Sequence, residues 1–147
     1  MTRTGKFLIT SLVLLAVVAV TRIHAARIKQ PLPQAVNNLE TAKAIEIKDA
    51  NGQAILTGSF SMSSQSNKEI ELTAQLTASG ADPDATGEAE IEVVKKDTVV
   101  TKQELEVTLK NLTAAATFKL FVDGQEFTTF TTNNAGKADL KLSSKQR

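Results

Sequence analysis

Gln103-Glu-Leu-Glu-Val-Thr-Leu109, Thr117-Phe-Lys-Leu-Phe-Val122, Glu126-Phe-Thr-Thr-Phe-Thr-Thr132 and Lys137-Ala-Asp-Leu-Lys-Leu142 follow one another with only turn residues between them. In the first, Leu105, Val107 and Leu109 alternate with Glu104, Glu106 and Thr108. In the last, Ala138, Leu140 and Leu142 alternate with Lys137, Asp139 and Lys141. The breaks are Asp123-Gly124 and Asn133-Asn-Ala-Gly136, residues that tolerate the left-handed backbone of tight hairpin turns. Period-two alternation bounded by such turns predicts antiparallel hairpins.

The same pattern extends upstream. Ile45 and Ile47 share one face of 44–48, and Asp49-Ala-Asn-Gly52 is a turn. In 53–62, Ala54, Leu56, Gly58, Phe60 and Met62 fall on one face, with Ile55 on the other. A polar loop, 63–68, follows. Ile70, Leu72, Ala74 and Leu76 then alternate with Glu69, Glu71, Thr73 and Gln75, and Ala89, Ile91 and Val93 with Glu88, Glu90 and Glu92. Residues 98–101 read as a short edge strand. About seven to eight strands with turns every 8–12 residues predict an all-β fold, an antiparallel two-sheet sandwich. A transmembrane barrel is the rival. The strands are too short for one, and there is no Trp or Tyr to form its aromatic girdles.

One register stays open. A two-residue turn at Asp123-Gly124 pairs Leu120 with Phe127. Adding Gln125 to the turn pairs Phe118 with Phe130 and sets Phe121 opposite Phe127 on the outer face. The three-residue spacing of Phe127 and Phe130 is odd for a regular strand, and a bulge near Thr128-Thr129 reconciles it.

Val107-Thr-Leu-Lys-Asn-Leu-Thr-Ala-Ala-Ala-Thr-Phe-Lys-Leu-Phe-Val122 resembles the late part of fibronectin type III and related immunoglobulin-like domains, with Leu112 closing a strand and Phe118 opening the next. The family's usual aromatic at the second place is tyrosine, and its early tryptophan has no counterpart here. The resemblance implies a sandwich and no substrate.

Before the β region, Arg3 and Lys6 precede the apolar run Phe7-Leu-Ile-Thr-Ser-Leu-Val-Leu-Leu-Ala-Val-Val-Ala-Val20, and Ile23-His24-Ala25 offers a cleavage site. The run is shorter than the ~20 residues of a membrane span. Residues 1–25 are therefore expected to be a signal peptide of bacterial type, cleaved after Ala25. That places the mature protein in the periplasm or the medium, with no membrane insertion after cleavage. A retained N-terminal anchor is the alternative. Residues 26–43, containing Gln30-Pro-Leu-Pro-Gln34, read as an extended linker with a single helical turn as the one candidate within 35–43. Residues 44–147 are the domain.

Of the 17 basic residues, Arg3, Lys6 and Arg22 lie in the leader, while all 16 acidic residues lie beyond it. The mature chain thus carries 14 basic against 16 acidic side chains, a net of −2, and no nucleic-acid footprint. The chain has no Cys, Trp or Tyr, and its single histidine, His24, lies in the leader. Imidazole and thiol chemistry, His/Cys metal sites and disulfides are thereby removed, so no cofactor and no enzyme activity are expected.

The loop Asp82-Pro-Asp-Ala-Thr-Gly-Glu88 is the first candidate site. Asp82, Asp84 and Glu88 are candidate calcium ligands, with Gly87 at the sixth place as in a calcium loop, but Val93 stands where a bidentate Glu is needed. No helix flanks the loop, and Glu88, Glu90 and Glu92 read better as the solvent face of a strand. Asp49 and Asn51 invite the same thought and fit turn chemistry. Phe121 and Phe127, if both face outward, form an apolar patch suited to a protein partner. Asn111-Leu-Thr113 is a glycosylation sequon. The leading expectation is an exported, non-catalytic module with a structural or protein-interaction role. The alternative is a calcium- or small-ligand-binding domain using the 82–88 loop.

Overall fold

The computed structural model describes residues 27–144 apart from residue 37, so the expected leader lies outside the described residues. Among the described residues there are ten strands: β1 (Arg27–Pro31), β2 (Ala44–Asp49), β3 (Ala54–Ser59), β4 (Ser61–Gln65), β5 (Glu69–Ala78), β6 (Thr86–Lys96), β7 (Val99–Lys110), β8 (Thr117–Val122), β9 (Gln125–Thr131) and β10 (Ala138–Ser143). The chain is all-β, as its alternation predicts, and no helix occurs among the described residues.

The strands do not divide into two separate layers. All belong to one sheet of order β1-β10-β7-β6-β5-β3-β2-β8-β9, with β4 also pairing with β5. The sheet coils until its ends meet, closing nearly into a barrel. There the Thr128 hydroxyl on β9 donates to the Gln30 side-chain carbonyl on β1. Alternation specifies which side of each strand is apolar; it does not specify whether two neighbouring edges bond across a corner. That corner is β3–β5, joined by only two pairs, Leu56↔Ala78 and Thr57↔Thr77. Gly58 permits the close approach: a Cβ there would stand 2.7 Å from the Gln75 carbonyl oxygen.

The inward residues form one core. Ile45 and Ile47, Ile70 to Leu76 on alternate positions, Ile91 and Val93, Leu105 to Leu109, Phe118 to Val122 and Leu140 and Leu142 are all buried on the predicted faces. Each contributes about 1.5–3 kcal/mol by leaving water. Two bulges adjust the phase. Ile55 is the extra residue opposite Ile47/Lys48, so Ile55 and Leu56 are both buried. Phe127 is the extra residue opposite Leu120/Phe121, so Phe127 and Phe130 both turn inward. The β8–β9 turn is two residues long, and the bulge restores the Phe118↔Phe130 pair, whose rings stack at 5.9 Å.

Some expectations are corrected. Phe60 and Met62 do not continue the core strand. The Phe60 N–H donates to the Lys43 carbonyl (2.9 Å), and β4 beyond it pairs only with β5. Met62 stands opposite Leu72 but is 54% exposed, because the facing wall has ended. The polar segment expected as a loop thus starts as an edge strand. Residues 98–101 prolong the β6–β7 hairpin instead of forming a strand of their own.

The segment expected as a linker is built into the fold. β1 pairs in parallel with β10, Arg27↔Asp139 to Pro31↔Ser143. The described residues of 32–43 then cross one end of the barrel as a strap. Two turns, Val36 N–H to Pro33 O and Ala42 N–H to Leu39 O, take the place of a helix. Leu39 is fully buried in the core, its N–H donating to Gln103 Oε1 at 2.6 Å. Glu40 accepts from Lys95 Nζ at 2.6 Å.

Candidate functional site

The end opposite the strap gathers four connections: 49–53, 79–85, 111–116 and 132–137. Their turns are held by side chains that accept backbone N–H groups. Asp49 Oδ1 accepts from Asn51 and Gln53 (2.9 and 2.8 Å). Asn133 Oδ1 accepts from Ala135 and Lys137 (2.9 Å each). Leu112 is buried, and its N–H donates to the Gly136 carbonyl. Between these connections lies an open cleft of about 530 Å³, with Asp49, Asn51, Asp82 and Thr113 on its rim and Ile55 and Phe118 among its walls.

The three candidate calcium ligands part company here. Asp82 is half-buried and lines the cleft, Asp84 is exposed, and Glu88 lies on the outer face of β6 between Gln75 and Thr108. The loop is braced by its backbone: Ala85 N–H donates to Asp82 O, and Asn111 Nδ2 donates to Asp84 O at 3.2 Å. Among the described residues no group of three or more Asp, Glu, His or Cys side chains is placed to hold a metal ion. What does come together is Asp82 with Asp49 and Asn51, two loops that are separate in sequence.

Phe121 and Phe127 do not share an outward patch. Phe127 is 8% exposed, turned inward by its bulge. Phe121 is half-buried beside β2, with Lys48 Nζ 4.5 Å above its ring, a cation–π contact.

An arrangement that sequence reading misses runs across the outer face of β6, β7, β10 and β1. Glu92 pairs with Lys102 (2.7 Å), which reaches Glu104 (3.6 Å); Glu104 pairs with Lys141, Lys141 with Glu106 (2.7 Å), and Glu106 with Arg27 (2.9 Å). Hydrogen bonds from Lys141 hold the Glu106 carboxyl below its ordinary range, and those to Glu104 and Glu106 raise the Lys141 ammonium. The Glu92 hydrogen bond raises Lys102. Outward Glu and Lys on alternating strands were the available signal; the Glu104–Lys141–Glu106 partners are set by register between β7 and β10, strands distant in sequence.

No protein-family model, no curated protein and no solved structure matches this chain.

Proposed function

We propose that this chain is an exported, non-catalytic β-module with a structural or protein-interaction role in the cell envelope or extracellular space, released by cleavage after Ala25. One observation carries the reading: the polar side chains of the fold are largely engaged in holding it. Asp49, Asn133 and Asp123 each accept backbone N–H groups, Asp123 Oδ1 from Lys43 (3.0 Å) and Ala44 (2.8 Å). Six further charges satisfy one another across the outer face. Such a rigid, self-satisfied scaffold suits presentation of a surface. The test is capture from an envelope extract by the chain beginning at Ala26, with the same chain unfolded by heat as comparison. A specific protein retained by the first and lost with the second supports the reading; absence of any specific capture contradicts it.

Asp82 of the 82–88 loop lines one cleft with Asp49 and Asn51, which favours a second reading, a calcium- or small-ligand-binding domain using that loop. A melting temperature that rises in millimolar calcium and no longer does so in Asp82→Asn would establish it. An unchanged melting curve rejects it.

A further inference from the structure

β9 and β10 are consecutive strands joined by a completed hairpin turn. Asn133 N–H donates to Lys137 O (2.9 Å) and Gly136 N–H to Asn133 O (3.0 Å), the bonding that closes the β2–β3 hairpin from Asp49 to Gln53. Yet beyond this turn β9 and β10 do not pair. β9 bonds to β8, β10 bonds to β7 and β1, and β1 lies in the fork between them.

We infer that β1 is a wedge held in an open hairpin, and that the seam has a second arrangement in which β9 and β10 zip together and β1 is released. Counting from the turn, the zipped register sets Thr131 against Asp139, Phe130 against Leu140 and Thr129 against Lys141. The faces agree, since Phe130 and Leu140 are both buried while Thr129 is exposed and Lys141 bonds outward to Glu106. The exchange is close to balanced. β10 trades backbone bonds to β1 for bonds to β9, and the unpaired edge of β9 gains partners. What β1 gives up is small. It is the one parallel strand of the sheet and pairs on one edge only, and parallel pairing is the weaker kind. Its pattern is exposed and half-buried throughout, and Pro31 brings no N–H. Its remaining ties are Arg27 to Glu106, Gln30 to Thr128, Leu32 N–H to Ser143 O, and the half-buried Ile28 and Leu32 side chains packed against the core. Release frees the basic extended segment Arg27-Ile-Lys29 for an acidic partner strand while leaving the barrel closed.

The chain has no cysteine, so an engineered pair is unambiguous. With β1 in place, Thr129 and Lys141 sit two strands apart, about 10 Å, beyond the reach of a disulfide; zipped, they are cross-strand neighbours. In the full chain, Thr129→Cys with Lys141→Cys is expected to bridge slowly under mild oxidant. Adding Arg27→Glu and Lys29→Pro, which weaken β1, is expected to speed bridging at least about tenfold. Equal rates in the two proteins, or bridging in neither, overturn the inference. Hydrogen exchange of the β6–β7 amides is measured alongside: retained protection in the weakened protein is expected. Its collapse would make β1 a stave the barrel needs, which also overturns the inference.

Discussion

A Cβ on Gly136 would stand 2.0 Å from the Leu112 carbonyl oxygen, and the residue's φ of 65° is left-handed. Backbone cannot yield as a flexible side chain does, so Gly136→Ala is expected to cost at least about 2 kcal/mol in urea unfolding. Asp123 also has φ 49°, in the turn, and binds the entry to β2 through its carboxylate. Asp123→Ala leaves the Lys43 and Ala44 N–H groups without that acceptor and is expected to lose about 1–3 kcal/mol. Phe118→Ala and Leu120→Ala, each creating a cavity in a filled core, are expected to cost about 2–5 kcal/mol. Met62→Ala is expected to change stability by no more than about 0.5 kcal/mol. A loss under about 1 kcal/mol at both Phe118 and Leu120 would mean that the inward face is wrongly assigned.

Among the elements, the strap is where physical prediction is sharpest. Leu39→Ala empties the plug of one barrel end, with an expected loss of about 2–4 kcal/mol. Lys95 ties the strap down through Glu40, and its hydrogen bond, opposed by partial burial, lowers the Glu40 pKa. A carboxylate lowered by folding lends stability above its ordinary range and withdraws it as pH falls through the lowered value. Lys95→Met should therefore flatten the acid limb of the melting-temperature profile. An acid limb unchanged in that variant would remove the ion pair from the strap's support.

Legibility in sequence divides along the same line. Strands paired to a sequence neighbour across a tight turn, such as β8–β9 and β6–β7, could be read because alternation and turn chemistry are local. The Phe127/Phe130 spacing announced a bulge, expected near Thr128-Thr129 and found one residue earlier, at Phe127. β1 could not be read, because its partner β10 lies over a hundred residues away and Gln30-Pro-Leu-Pro-Gln34 has no alternation. β4 could not, because Ser-Met-Ser-Ser-Gln has no apolar alternation beyond Met62 and takes its form from β5. At the candidate site, each acidic loop was visible alone. That Asp82 lines the same cleft as Asp49 while Glu88 stays on a sheet face depends on how the end of the barrel assembles.

At the scale of the whole molecule, the mass of the protein recovered from its native host tests the proposed leader directly: a chain starting at Ala26 is expected, and an intact Met1 contradicts cleavage. The architecture itself rests on the narrowest joint of the sheet, where β3 meets β5. Without its two pairs the strands would fall into one group around β5, β6, β7 and β10 and another around β2 and β8, two layers instead of one coiled sheet. The decisive measurement is the set of backbone cross-strand NOEs between β3 and β5 in the labelled protein. Contacts linking Leu56 to Ala78 and Thr57 to Thr77 are predicted, together with slow exchange of the amides that bond between them; an unpaired β3 edge with freely exchanging amides there would contradict the single continuous sheet.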